Sequence, residues 1–510
     1  MRVQPSVCTL QTTILNVDLS GVMPEQWIEH DVWLNQWDPA PYSSARPFMY
    51  LRPAQRWKSP IAGPSTPSDN SPETRYAVDN KGYLQFRPRP GLTAATEIVE
   101  RLRKHGHASY LIGGCVRDEL LGRTAKDYDV VTSALPESVE AIFSGTTKAI
   151  GAKFGVIQVR WAPECPFRYP KDVVDTEVAT FRSDGAYSDN RRPDDVKFST
   201  SLEEDVQRRD FTMNGIAASP YGPITDLVGG LQDIADRLIR CIGVPEERFK
   251  EDALRMLRAI RFAAQLDFRI ESSTWQALRD QAGLVASISH ERVRDELVKM
   301  LISPDPARAL YLLNQSGLLD VLFPSGITNQ FHRILLKLQW AQQHAADYLT
   351  MLTLLTNHIM TAEVDRFLVL LKLSVDEEKQ IRNARLMHYY LTATGTSFTR
   401  AERIRYLRQP GFMVAVAYTS ACVAIDGCLT VEDWEHIKAS FLDLNTSEIV
   451  HERLLITGDD LIARGINPSP AFKLILNQFE TEQLNLLFTT REEALLRLDR
   501  VQVKGTDETF

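Results

Sequence analysis

The 510-residue chain is short of paired cysteines, of long apolar runs and of net positive charge. Its six cysteines (Cys8, Cys115, Cys165, Cys241, Cys422 and Cys428) lie far apart with no CxxC pair. That spacing argues against a dense disulfide framework or a zinc site, and for a reducing compartment. No apolar run reaches the ~20 residues of a membrane span. The longest nearly apolar stretch, Phe412 to Ile425, contains Thr419 and Ser420 and is followed by Asp426, the pattern of a buried helix. The N-terminus has no basic start followed by an apolar stretch, nor is it an Arg-rich, acid-free transit peptide, so a cytoplasmic location is expected. Lys and Arg number 58 against 66 Asp and Glu, a net charge of −8. Summed over the chain, that balance argues against a nucleic-acid partner, although a sum is blind to where the basic residues sit.

The remaining composition is that of an ordinary globular protein, 44% hydrophobic and 24% charged. Its length exceeds one compact core and predicts about three or four structural units. Residues 1–90 stand apart: they hold twelve of the 26 prolines and four of the eight tryptophans, with a polar run from Gly63 to Pro72. Such a stretch cannot supply a regular hydrogen-bond ladder, and it reads as an irregular extension. From Leu92 to His105 the apolar spacing is helical. Ala108–Ile112 reads as a strand, Gly113-Gly114 as a sharp turn, Val116–Leu121 as a short helix and Tyr128–Thr132 as a second strand. Further strands are expected at 155–161, 173–181 and 196–200. Ser201-Leu202-Glu203-Glu204 reads as a capping box that opens the first of many helices. The expected class is α+β: a small head with a mixed sheet (91–220), then a helical neck (221–300) and a helical body and tail (301–510).

Asp127 and Asp129 are two residues apart at the start of a strand, so both side chains share one face. Two carboxylates held so closely call for a cation, and Mg²⁺ takes hard oxygen ligands while leaving positions for phosphate oxygens. Alone, Asp-x-Asp is equally an exposed acidic turn. Gly113-Gly114, however, ends the preceding strand just before a helix, where bare backbone N–H groups can approach a phosphate chain. Arg117 and Arg123 are candidates to pair with the same phosphates. The pattern is neither the dinucleotide GxGxxG fingerprint nor a Walker loop.

The segment LIGGCVRDELLGRTAKDYDVVTSA resembles the signature of the class II tRNA nucleotidyltransferase and bacterial poly(A) polymerase family. The resemblance continues through EVATFR (177–182), RRDFTMNGIA (208–217) and EDALRMLRAIRFAA (251–264). It spans about residues 91–300, with weaker similarity beyond. It implies a head, neck, body and tail arrangement and Mg²⁺-dependent nucleotide addition to an RNA 3′ end, drawing on ATP and CTP. Asp127 and Asp129 match the family's metal-binding aspartates, Glu177 its proposed third catalytic carboxylate, and Arg209 its nucleotide-contacting arginine. The family usually has Asn-Ala where this chain has Asn214-Gly215, a change expected to leave function intact.

Asp210 and Asn214, four apart, are expected on one helix face, offering an acceptor and an amide to a ribose. Asp252 and Arg255, three apart on a neck helix, are expected to project together. A carboxylate accepts from an exocyclic amino group while a guanidinium donates to the adjoining ring acceptor, the edge that cytosine and adenine share and uracil and guanine reverse. The resemblance agrees, since this is the family's amino-acid template. Arg258 and Arg261 continue the stride as a basic stripe for phosphates, and the family's matching arginines contact the nucleotide, while Leu254, Leu257, Ile260, Phe262 and Ala263 pack the neck. GxxFG at Gly151–Gly155 resembles the pattern of the family's tRNA enzymes, the linker 182–197 resembles their flexible loop, and the end of the chain lacks the strongly basic tail of many of the family's polymerases, so the resemblance implies CCA addition at the tRNA 3′ end. Poly(A) addition, CC-only or A-only addition, and a catalytically silent RNA-binding scaffold stay open. No stable protein partner and no membrane are expected.

Overall fold

In a computed structural model, the described residues are 90–151, 154–162, 173–184, 196–220, 222–323, 330–393, 398–450 and 452–500. The irregular extension, Cys8, Cys165, Ala152 and Lys153 of the GxxFG segment, most of the 182–197 linker and residues 501–510 lie outside them.

The head opens with helix α1 (Pro90–Lys104), whose proline occupies a first-turn position where no N–H is needed. The first five strands are β1 (Ser109–Ile112), β2 (Val130–Thr132), β3 (Thr147–Gly151), β4 (Val156–Trp161) and β5 (Val174–Thr180). β6 (Arg182–Asp184), β7 (Val196–Phe198), β8 (Ala217–Ala218) and β9 (Ile224–Thr225) follow. Seven of them form one sheet in the order β3-β4-β5-β2-β1-β8-β9, while β6 and β7 pair separately. Only β2–β5 is parallel within the large sheet, so it is mixed, as the sequence predicts. β9 lies beyond residue 220, so the sheet runs past the expected end of the head. β3, and the helix α3 (Pro136–Ile142) before it, are additions to the expected elements. Helix α2 (Gly114–Leu120) starts two residues earlier than the spacing suggests, directly at the glycine pair.

Helix α4 (Leu202–Gln207) begins where the capping box is expected, yet only half of the box forms. The Ser201 side chain accepts from the Glu204 N–H, while the Ser201 N–H goes to Ser199 Oγ at 3.0 Å. After α4 the chain is not helical through RRDFTMN. It extends, then makes a 3₁₀ turn at Thr212–Asn214. Helix α5 (Gly230–Ala235) presses against this turn so closely that a Cβ on Gly230 would overlap the Thr212 carbonyl. Side-chain methyls of Val228, Ile242 and Val206 likewise crowd Gly215, which explains glycine there in place of alanine.

Helices α6 (Pro245–Glu251), α7 (Leu254–Leu266), α8 (Ser272–Asp280) and α9 (His290–Leu301) form the neck. Leu254, Leu257, Ile260, Phe262 and Ala263 are all buried, as expected for its packing face. The apolar run noted above is the buried helix Phe412–Asp426, bracketed by Gly411 and Gly427 with φ of 84° and 66°. Glycine enters that left-handed region at the least steric cost. Among the described residues, no helix is long and apolar enough to cross a membrane. The tail has its own core around Ile456, Leu461, Phe479 and Phe488.

Candidate active site

The centre of the sheet assembles the acidic side. Tyr128 is buried and its hydroxyl donates to Glu119 Oε1 at 2.7 Å, so the flanking Asp127 and Asp129 both face outward. The Ile112 N–H donates to the Asp129 carbonyl at 3.2 Å, which holds Asp129 one residue from Gly113. Both aspartates precede β2, which starts at Val130, two residues later than the strand expected from Tyr128. Parallel pairing of Val130 with Val178 brings Glu177 alongside Asp129, on the exposed face of β5. Desolvation, then the charge of Glu177, pushes the Asp129 carboxyl up to about 6; Asp127 adds to the rise and Arg209 opposes it.

A raised carboxyl pKa carries a stability cost with a definite sign. The unfolded chain releases this proton near pH 3.8 and the folded head near 6. The charged form therefore weighs against folding above pH 6, and the penalty fades as pH falls toward 4. Asp129→Asn is expected to raise the melting temperature of the metal-free protein at pH 8 and to leave it unchanged at pH 4, measured in EDTA by differential scanning calorimetry.

The opposite side is built from Gly113, Gly114 and Arg209. Gly113 has φ 84° and ψ −137°, a backbone region closed to other residues. A Cβ there would stand 3.8 Å from Arg209 Nη1, and one on Gly114 3.6 Å from Arg117 Nη2. The missing side chains thus keep a cradle open beside a guanidinium. The donor set suits a metal such as Mg²⁺, which binds one or two carboxylates and fills the remaining positions with water and substrate phosphates. Among the described residues, no three His, Cys, Asp or Glu side chains gather closely enough to hold a metal by themselves.

Several expected phosphate ligands are turned elsewhere. Arg117 is buried, donates from Nη1 to Asn214 Oδ1 at 2.7 Å and pairs with Asp118. Asn214 Nδ2 donates to Asp210 Oδ1 at 3.0 Å, and Arg258 closes a two-point pair on Asp210 Oδ2 at 2.8 and 2.6 Å. Asp210 and Asn214 thus meet through the 3₁₀ turn, not along a helix face, and both are buried. Burial works against a charge on Asp210, but Arg258 and the hydrogen bonds from Asn214 and Phe211 hold its carboxyl down at about 2. Arg261 pairs with Glu296 at 3.2 Å, and desolvation lowers its guanidinium to about 10. Arg123 donates to the Gln265 carbonyl at 3.1 Å, joining the head to the end of α7. The guanidiniums of Arg117, Arg258 and Arg261 all lie over the Phe262 ring, 4.9, 5.4 and 4.3 Å from its centroid. Phe262, assigned to packing, is also the seat of three cation–π contacts. The expected basic stripe is therefore a head–neck joint.

Asp252 and Arg255 do not share one helix. α6 ends at Glu251, Asp252 is extended (φ −145°, ψ 102°), and α7 starts at Leu254. The Asp252 carboxylate competes with the helix by accepting the Leu254 N–H at 3.1 Å. Its other oxygen accepts from Arg292 on α9 at 2.7 Å. Arg255 is buried and donates to Glu251 Oε2 at 2.7 Å and to the Arg208 carbonyl at 2.9 Å. Both side chains are thus anchored at the junction of head and neck. Arg292, forty residues from Asp252, carries no local signal. Asp205 accepts from both Arg208 and Arg209, three and four residues on, a spacing that marks it in the sequence.

The chain is similar to known proteins over most of its described length. Residues 109–240 match the model of the "Poly A polymerase head domain", and 267–327 match "Probable RNA and SrmB- binding site of polymerase A". A CCA-adding enzyme of Geobacillus stearothermophilus is 47% identical over 230 residues, 45% of this chain. That of Ligilactobacillus salivarius is 43% identical over 216 residues. These matches span about half the length of the curated relatives, 54% and 51%. The crystal structure of the Bacillus stearothermophilus CCA-adding enzyme in complex with CTP superposes with a TM-score of 0.67 and 32% identity, over 81% of this chain and 98% of that one. A Thermotoga maritima CCA-adding enzyme complexed with tRNA shares the fold, with a TM-score of 0.55 at 19% identity over 79% of this chain and 94% of that one. With its mixed-sheet head, its carboxylate and glycine cradle and a full-length structural relative at this identity, the chain belongs to the CCA-adding enzyme family of nucleotidyltransferases.

Proposed function

We propose that the protein adds CMP and AMP, without a nucleic-acid template, to the 3′ end of tRNA in the cytoplasm, with Mg²⁺ held by Asp127 and Asp129. The observation that carries this reading is the outward-facing aspartate pair set beside the Gly113-Gly114 cradle and Arg209. When bound there, Mg²⁺ supplies charge neutralisation for the triphosphate and acidifies the attacking hydroxyl. The 3′ hydroxyl of the RNA releases its proton to water and attacks the α-phosphorus; a new P–O bond forms as the bond to pyrophosphate breaks. Arg209 and the glycine backbone bind the triphosphate, and Glu177 serves as a third carboxylate beside Asp129. Orientation and charge compensation provide most of the rate in such phosphoryl transfers.

Base choice falls to Asp252 and Arg255. Each Asp252 oxygen keeps a lone pair beyond its present hydrogen bond, enough to accept from the amino group of cytosine or adenine. Their anchoring by Arg292, Glu251 and the Arg208 carbonyl supports a fixed reader of one base edge. Arg117, Asp210, Asn214, Arg258 and Arg261 act in this reading as the brace that sets the reader against the head.

Incubating the protein with tRNA lacking its terminal CCA, Mg²⁺ and each labelled nucleotide tests the proposal. Discrete incorporation of two C and one A is expected. Long A tails on any RNA would instead mean poly(A) polymerase, CC or A alone a partial-addition enzyme, and no incorporation a silent scaffold.

A further inference from the structure

Asp205 has no place in the roles above, yet it is a fully buried carboxylate beside the site, with a side-chain exposure of 0%. It projects from the last turns of α4 toward the two arginines that follow. Its Oδ1 accepts from Arg208 Nε and Nη2 at 3.0 and 2.5 Å. Its Oδ2 accepts from Arg209 Nε and Nη2 at 3.1 and 2.8 Å. Each guanidinium turns its Nε and Nη2 onto one oxygen of the carboxylate, a two-point contact that limits the rotation of both side chains. Arg209 Nη1 takes no part in the grip and is the atom that stands beside Gly113. Arg208 offers its backbone carbonyl to Arg255 Nη2. Burial opposes a charge on Asp205, but Arg209 and Arg208 outweigh it and keep the carboxyl below its usual range.

We propose that Asp205 is a positioning residue that sets Arg209 for the nucleotide phosphates and, through the Arg208 backbone, Arg255 for the base. It touches no reacting atom; it removes the torsional freedom of two flexible side chains before substrate arrives, so that binding does not have to supply that ordering. This rests on the functional reading above and adds to it a link between phosphate and base recognition.

The test is equilibrium binding of CTP, ATP and UTP to the full-length protein by isothermal titration calorimetry, for wild type, Asp205→Asn, Arg209→Met and the double variant. Asparagine keeps the shape but loses the charge and half of the acceptor capacity. Asp205→Asn is expected to weaken CTP binding by about tenfold and to shrink the preference for CTP over UTP. The double variant is expected to lose less CTP affinity than the two single losses added together, because the phosphate share of the Asp205 effect passes through that arginine and only the share carried by Arg208 and Arg255 is left. CTP affinity within twofold of wild type, losses that simply add, or an unchanged CTP-to-UTP ratio would each overturn the inference. A loss arising only from looser packing would add to that of Arg209→Met. If Asp205→Asn does not fold, Arg209→Lys takes its place: lysine keeps the charge but cannot make the two-point contact, and wild-type CTP affinity in that variant overturns the proposal. Wild-type protein that binds no nucleotide would defeat the functional reading itself, a result distinct from all of these.

Discussion

Asp127→Ala is expected to lose nucleotide addition by about a thousandfold or more while tRNA binding stays near wild type. A metal at such a site contributes several kcal/mol of charge stabilisation to the transition state, and each 1.36 kcal/mol is about tenfold in rate. Asp127 lies at the surface of the head and its side chain is exposed, so its removal leaves the core intact. Single-turnover incorporation of CMP, set beside a filter-binding isotherm for tRNA, separates the two effects. Retained activity would remove Asp127 from the metal site. Arg255→Ala makes a contrasting variant: it is expected to admit UMP or GMP, visible as misincorporation, before it weakens phosphate binding.

Lys337→Met is expected to destabilise the helical body by about 3 kcal/mol, the cost of stranding a largely buried partner charge. Lys337 is completely buried on the helix Phe331–Gln343, and its ammonium lies 2.5 Å from Asp426 at the end of the apolar helix. His358 Nε2 is 3.4 Å away. An ammonium has no acceptor, so the imidazole nitrogen must be the acceptor. Burial, and then Lys337, lower the His358 pKa, which keeps that ring neutral. Methionine fills nearly the same volume, so the loss is electrostatic more than steric. Asp426 retains only a 3.4 Å contact to Arg333. Adding Asp426→Leu to the same chain is expected to recover most of the loss, since an apolar pair carries no desolvation penalty. Urea unfolding followed by hydrogen exchange in these helices measures both; a single variant as stable as wild type would contradict the account.

The parts of the protein that could be read early are those in which local pattern and tertiary environment agree. The strand before Gly113, the outward alternation of Asp127 and Asp129 around an inward Tyr128, and the glycine turn all follow from near neighbours. Glu177 came from the resemblance, and the parallel pairing of β2 with β5 then set it beside Asp129. At EDALR and RRDFTMN helical spacing misleads because the helix is broken there. Aspartates at 252 and 210 accept nearby backbone N–H groups, and that local competition breaks the helical run. An i,i+3 or i,i+4 count cannot register such a break.

A net charge of −8 points away from nucleic acid, whereas the proposed tRNA substrate would be held by local basic groups that a whole-chain sum does not register. By itself, the sequence determined which chemical groups are available: paired carboxylates, a glycine cradle, and a row of arginines in the head and neck. Which of those arginines remain open to a ligand was decided only by the tertiary structure. Arg117, Arg258 and Arg261 are committed to Asn214, Asp210 and Glu296, partners 97, 48 and 35 residues away in the chain. Arg209 Nη1 stands beside Gly113 and is outside the pairing with Asp205. The reason is physical: the charge of a side chain is set by its own chemistry, but a buried charge must be neutralised by whatever the fold brings within about 3 Å, and no local spacing encodes that distance.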